Sequence, residues 1–128
     1  MACPDGKCER SDKMELRDCK KKSDRDATFV VTSYGSKGHQ FRVANTNLCL
    51  QKMFDRRAIK LKPCKTNRKK ALQLFTDFKP DGEKFDLRPV LYTDRCLSNH
   101  HHPKGGETIY AETCKKAHRT DTGYWVAY

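Results

Sequence analysis

Cys49-Leu50-Gln51 begins a unit of sequence that Ile59-Lys60-Leu61-Lys62-Pro63-Cys64, the basic run Lys65 to Lys70, and Gln73-Leu74-Phe75 complete. Ile59 and Leu61 alternate with lysines, the period of a strand with one buried face, so Cys64 closes a strand. Related text surrounds two other cysteine pairs. Met14 and Leu16 alternate before Cys19, which is followed by Lys20, Lys21 and Lys22 and then by Ala27-Thr28-Phe29. Cys114 is followed by Lys115, Lys116, Ala117, His118 and Arg119 and then by Gly123-Tyr124-Trp125. The aromatic residue lies 10, 11 and 11 positions beyond its cysteine, and Cys96-Leu97-Ser98 opens the third copy as Cys49-Leu50-Gln51 opens the second. Cys8-Glu9-Arg10 opens the first more loosely. Repetition at this period is read before secondary structure, because such units bury a core only by associating with one another.

Between these landmarks the pattern is that of short strands. Ala27 to Tyr34 is β-branched and aromatic, and Ala71 to Phe78 is rich in Leu and Phe. Each is followed by a turn signal, Gly35-Ser36-Lys37-Gly38 and Pro80-Asp81-Gly82-Glu83, and then by the alternating segments His39 to Val43 and Lys84 to Leu87. No window is predicted to form a capped helix. The expected fold is one all-β domain over residues 1–128, with repeats at about 8–48, 49–95 and 96–128 and about four strands in each. The third copy stops at Tyr128 one strand short of closure, unless residues 1–7 supply it.

Composition narrows the class. In 128 residues, 27 Lys and Arg face 16 Asp and Glu, a net charge of +11, while hydrophobic residues make up only 36% and include seven cysteines. A core that thin calls for covalent support. No run approaches the roughly 20 apolar residues of a membrane-spanning helix, so no membrane insertion is expected. Met1-Ala2-Cys3-Pro4 lacks the apolar stretch of a secretory leader, so the chain reads as soluble with any leader already removed. Recurring aromatic and aliphatic clusters exclude an intrinsically disordered chain.

The cysteines fit disulfides in an oxidising compartment, a zinc site, or reduced buried thiols. Zinc sites usually draw ligands in close pairs, and no Cys-x-x-Cys occurs here. Separations of 11, 15 and 18 residues within Cys8/Cys19, Cys49/Cys64 and Cys96/Cys114 suit cross-links between neighbouring strands, which favours the first option and a secreted or extracellular setting. Cys3 is left over, as a free thiol or an intermolecular bridge.

The Cys-Leu openings, the Leu61-Lys62-Pro63-Cys64 strand end and the Gln73-Leu74-Phe75 triplet resemble the ricin-B-type lectin domain, and the cysteine-rich domain of the mannose receptor is a relative built the same way. The resemblance covers residues 8–128 and implies a β-trefoil of three repeats. In that family a galactose-binding copy has Asp two residues after the first cysteine, an aromatic residue two before the second, and Asn before the Gln of the signature. Carboxylate and amide grip hydroxyl groups while the ring stacks on the sugar. Here the Asp position holds Arg10, Gln51 or Ser98, the aromatic position Arg17, Lys62 or Glu112, and the Asn position Asp26, Leu72 or Thr122. No copy keeps the set, so ordinary galactose binding is not expected, and Phe29, Phe75 and Trp125 are read as core residues.

Charge stands where the sugar site would be. Lys20, Lys21 and Lys22, then Lys65, Arg68, Lys69 and Lys70, then Lys115, Lys116, His118 and Arg119 follow the second cysteine of each copy, and threefold repetition would set them as equivalent basic loops. Such clusters favour sulfate, phosphate or carboxylate groups, although lysine-rich loops also serve solubility alone. The leading expectation is a non-enzymatic, lectin-like module that binds anionic or sulfated glycans such as heparin, with no cofactor and no metal. The alternative is a secreted protein-binding module of the growth-factor or protease-inhibitor kind. Nucleic-acid binding ranks third, since the sequence offers no set of stacking aromatics for it. His100, His101 and His102 read as a solvated loop near the family's ligand site, because adjacent side chains converge poorly on one ion. No Cys-His or Ser-His-Asp grouping has a local context for catalysis.

Overall fold

The computed structural model describes residues 28–54, 58–79, 82–98, 109–120, 123 and 125–126. The expectations for Cys3, Cys8, Cys19, Lys20, Lys21, Lys22, His100, His101 and His102 lie outside these residues. Among the described residues the protein is all-β, with ten strands and one short α-helix. The strands are β1 (Phe29–Ser33), β2 (His39–Val43), β3 (Leu48–Lys52), β4 (Ile59–Pro63), β5 (Leu74–Thr76), β6 (Lys84–Phe85), β7 (Arg88–Pro89), β8 (Arg95–Ser98), β9 (Tyr110–Thr113) and β10 (Trp125–Val126). The helix α1 covers Cys114–Arg119, and 3-10 turns cover Gly35–Lys37 and Arg68–Gln73.

All pairings are antiparallel. Strands β4, β3, β2, β5 and β7 lie side by side in that order, and β1 also pairs with β2, giving six strands in this sheet. Two further ribbons join β8 to β9 and β10 to β6. The registers recur along the chain. Phe29 pairs with Val43 and Val30 with Arg42, and 46 residues further on Phe75 pairs with Pro89 and Thr76 with Arg88. The loop bonds follow suit: Ala44 N–H donates to the Thr28 carbonyl at 2.8 Å, and Val90 N–H to that of Leu74 at 2.9 Å.

The two described cysteine hairpins are also built alike. Leu50 faces Leu61 in β3/β4, and Leu97 faces Ala111 in β8/β9. Disulfides join Cys49 to Cys64 and Cys96 to Cys114. In each hairpin the second cysteine donates its N–H to the carbonyl two residues before the first, Cys64 to Asn47 at 2.9 Å and Cys114 to Asp94 at 2.8 Å. The alternation read in Ile59-Lys60-Leu61 is real, since Ile59 and Leu61 are fully buried while Lys60 is not.

The core gathers Phe41, Val43, Leu50, Ile59, Leu61, Phe75, Phe85, Leu87, Leu97, Ile109 and Ala111, with Phe29, Phe78 and Trp125 packed at its border. Edge-to-face contacts link Phe29 to Phe41, Phe41 to both Phe75 and Phe78, and Phe78 to Phe85, the arrangement that aromatic quadrupoles favour. Gly38 sits at φ +112° where the Gly35–Lys37 turn enters β2. A β-carbon there would lie 2.8 Å from Val90 Cγ2 and 2.9 Å from the Phe75 carbonyl oxygen, so the turn needs glycine twice over.

Candidate functional site

The basic segments that follow Cys64 and Cys114 are the two expected patches within the described residues. Neither is a simple loop, which corrects the expectation of basic loops and of a chain without helix. After Cys64 the chain forms the Arg68–Gln73 3-10 turn, and after Cys114 it forms α1 directly. Thr113 caps α1, its hydroxyl oxygen accepting from the Lys116 N–H at 3.4 Å, and Thr120 closes the other end with a hydrogen bond from its hydroxyl to the Lys116 carbonyl at 2.9 Å. The signal was a capping Thr ahead of good helix formers, with cations in the last turn where the helix dipole favours them. A six-residue element is too short for apolar periodicity to reveal.

Helix α1 turns Cys114 and Ala117 inward and leaves Lys115, Lys116 and Arg119 exposed. Gly123 allows the close approach that packs its inner side, since a β-carbon there would lie 2.7 Å from that of Ala117. The disulfide ties the same side to β8. Beneath the helix the buried Glu112 accepts from the Thr113 N–H at 2.9 Å and lies 3.4 Å from Lys116 Nζ and 3.9 Å from Arg95. Glu112 occupies one of the aromatic positions of the lectin pattern, and its carboxylate is thus committed to internal partners.

The other basic segment is held chiefly by Gln73. Gln73 Oε1 accepts from the Lys65 N–H at 2.9 Å, and Gln73 Nε2 donates to the Pro63 carbonyl at 2.9 Å and to Gln51 Oε1 at 3.0 Å. Gln51, at one of the family's Asp positions, is therefore part of the scaffold. Lys70 Nζ stands 3.9 Å from the centre of the Tyr34 ring, a cation–π contact, and the Tyr34 hydroxyl donates to Gln40 Oε1 at 3.2 Å. Lys65 is half-buried. Arg68 and Lys69 belong to the turn by their backbone, and their side chains lie outside the described set.

Next to α1 opens a cleft of about 430 Å³ between Asp77-Phe78-Lys79 and Lys84-Phe85-Asp86, with His118 on its wall. Two lysines, two aspartates and two phenylalanines thus share one concave surface with the last turn of the helix. Sequence spacing gave no hint of it, because Asp86 and His118 are 32 positions apart. Their contact, Nε2 to Oδ2, is 2.9 Å, and Arg88 holds the same carboxylate oxygen at 2.9 Å while its Nε reaches Asp77 at 3.1 Å. Burial alone would raise the Asp86 pKa, but hydrogen bonds and charge from Arg88 and then His118 outweigh it, leaving the carboxyl below its ordinary range.

Asp86 also borders the Cys96–Cys114 disulfide. Its Oδ2 lies 3.7 Å from Cys96 Sγ, and one donor atom from each of Asp86, Cys96 and Cys114 falls within 4.8 Å of the others. With the two sulfurs bonded to each other, these atoms are not a metal site in the oxidised protein. Among the described residues no helix is long and apolar enough to cross a membrane. Comparison with known proteins supplies no relative: no family model, curated protein or solved structure matches the chain.

Proposed function

We propose that this domain is a non-enzymatic carbohydrate-binding module of the ricin-B-type β-trefoil kind, working outside the cell with a preference for anionic or sulfated glycans. The recurring strand registers and the twin hairpins support the trefoil reading, and the two disulfides are of a sort typical of extracellular proteins. The observation that carries the anionic preference is α1. Its inner face is fixed by a disulfide and by Ala117, its outer face presents Lys115 and Arg119 beside the Glu112-paired Lys116, and His118, bound to Asp86, leads into a cleft where Lys79 and Lys84 stand with Asp77 and Asp86. A fixed base spares the backbone beneath these cations from ordering when they meet sulfate or carboxylate, so only their side chains must settle. Gln51, at a position where galactose binders grip sugar hydroxyls, and Glu112, where they stack an aromatic ring, are engaged within the protein, which argues against a neutral-sugar site there.

Retention on heparin and on a neutral glycan in rising salt tests the reading. Heparin is expected to hold the protein beyond physiological ionic strength. Release from heparin below that strength, with retention by the neutral sugar, overturns it. A second reading, a protein-binding module, rests on one apolar spot: Phe54 is 70% and Leu91 55% exposed, and Tyr92 beside Leu91 donates to the Phe54 carbonyl at 3.4 Å. It predicts binding that survives high salt and is lost in Phe54→Ala.

A further inference from the structure

We propose that the β8/β9 hairpin carries a redox-gated zinc site: once the Cys96–Cys114 disulfide is reduced, both thiolates, Asp86 and His118 bind one zinc ion in four-coordinate geometry.

The donor set is of the kind zinc prefers, two sulfurs with one imidazole nitrogen and one carboxylate oxygen. For zinc–sulfur bonds of about 2.3 Å and zinc–nitrogen or zinc–oxygen bonds of about 2.0–2.1 Å, a tetrahedron places its donors about 3.3–3.8 Å apart. Asp86 Oδ2 already stands 3.7 Å from Cys96 Sγ and 2.9 Å from His118 Nε2. Asp86, Cys96 and Cys114 offer donors within 4.8 Å of one another, and His118 meets this group through Asp86, so its imidazole must swing toward the sulfurs as the 2.01 Å bond between them opens. Cys114 and His118 are one helical turn apart in α1, the spacing that turns two ligands toward the same ion.

The surroundings fit as well. Two thiolates and a carboxylate carry three negative charges, which the ion and the neighbouring Arg88 guanidinium balance. Arg88 also keeps the Asp86 carboxylate in place and is itself braced by Asp77. Entry is through the cleft, on which Asp86 and His118 open with side chains 16% and 33% exposed, while Cys96 is fully buried. The other described hairpin supplies an internal contrast. In the matching register Gln40 stands where β6 leads into Asp86, and Arg68 follows Cys64 by four residues as His118 follows Cys114. That disulfide lacks both additional ligands.

The gating step is thiol–disulfide exchange with a dithiol. One of its thiolates attacks a disulfide sulfur, the Cys96–Cys114 bond breaks, and the second thiol displaces the protein sulfur as the reagent closes its own disulfide. Two electrons pass to the protein, leaving two thiols, and zinc then displaces their two protons. The metal takes over the linkage between β8 and α1 that sulfur provided.

The test uses the full chain, reduced without oxygen by a phosphine, which leaves as the phosphine oxide with oxygen from water while the sulfurs gain two hydrogens. Cobalt(II), a spectroscopic stand-in for zinc, is then titrated in. One equivalent is expected to give thiolate charge-transfer and tetrahedral ligand-field absorption, to be displaced by zinc, and to bind the oxidised protein far more weakly. The double substitution Cys96→Ser with Cys114→Ser should abolish the signal, and Cys49→Ser with Cys64→Ser should leave it. His118→Ala and Asp86→Ala should each weaken binding at least about tenfold. Absence of the tetrahedral spectrum overturns the proposal, as does its persistence without Cys96 and Cys114. Indifference to both His118→Ala and Asp86→Ala does so too, the result expected if the reduced chain unfolds and binds through thiols alone. Heparin retention of the oxidised protein is independent of every arm.

Discussion

Gln40 and Gln73, 33 positions apart, meet side chain to side chain in the interior, Nε2 of Gln40 donating to Oε1 of Gln73 across 2.9 Å. Gln40 Nε2 also reaches the Lys65 carbonyl at 3.1 Å, so both backbone polar groups of Lys65 end on this pair of amides. The Gln of the Gln-Leu-Phe triplet therefore fastens the basic turn to the hairpin before it, while Phe75 of the same triplet fills the core.

Gln73→Leu should leave the Lys65 N–H, the Pro63 carbonyl and the Gln40 and Gln51 amides without this partner around a buried side chain. At about 1–3 kcal/mol for a buried group left unsatisfied, a total loss of about 3 kcal/mol is expected. Urea unfolding checks it, through a lower midpoint at unchanged slope. A loss below about 1 kcal/mol would show that water enters and restores the bonds.

Asp86 links stability to acidity. Its carboxyl is more acidic in the folded protein than its ordinary value of 3.8, despite burial, because Arg88 and His118 favour the charged form. The stabilisation is therefore complete above that value and is lost as pH falls through the lower, folded one. Unfolding midpoints measured downward from neutral pH should drop on entering that acid range, and Asp86→Asn should remove this part of the decline.

Gly38→Ala sets a side chain into a left-handed backbone position and against the Phe75 carbonyl and Val90. The expected cost is about 1–3 kcal/mol, read from thermal or urea unfolding. Gly35→Ala, with nothing within 4 Å of the new β-carbon but φ at +63°, should carry the backbone strain alone and cost less.

Lys115→Glu combined with Arg119→Glu reverses two charges on the outer face of α1 without touching Cys114 or Ala117. Elution from heparin should move to lower salt while the unfolding midpoint shifts by about 0.5 kcal/mol or less, as befits exposed positions. The fourfold reversal Lys65→Glu, Arg68→Glu, Lys69→Glu and Lys70→Glu probes the other segment in the same assay. If neither set changes elution, the anion-binding surface lies elsewhere.

The strands were legible where alternation and turn residues agreed: in Ile59 to Leu61 burial falls at every second residue, and in His39 to Val43 Phe41 and Val43 turn inward although Gln40 is buried as well. Cys49 with Cys64 and Cys96 with Cys114 were legible from spacing. Ala71 to Phe78 was read as one strand, yet its first part is the 3-10 turn ending at Gln73, since Leu and Phe mark burial and not the backbone state. Helix α1 leaves little trace in the sequence because its stability comes from Thr113, the disulfide and packing rather than from a long apolar stripe. The cleft was invisible for a different reason: Asp77, Lys84 and His118 come together only through pairing across the fold, which local pattern does not encode.

Trp125 is the chain's one tryptophan, and its indole N–H donates to the Leu97 carbonyl at 2.9 Å, one residue from Cys96. Strand β10 also pairs with β6, one residue from Asp86. The protein thus carries its own fluorescent reporter at the junction of β10, the Cys96–Cys114 hairpin and the Asp86 side of the cleft. Emission under selective excitation of that indole follows events at this junction without a label.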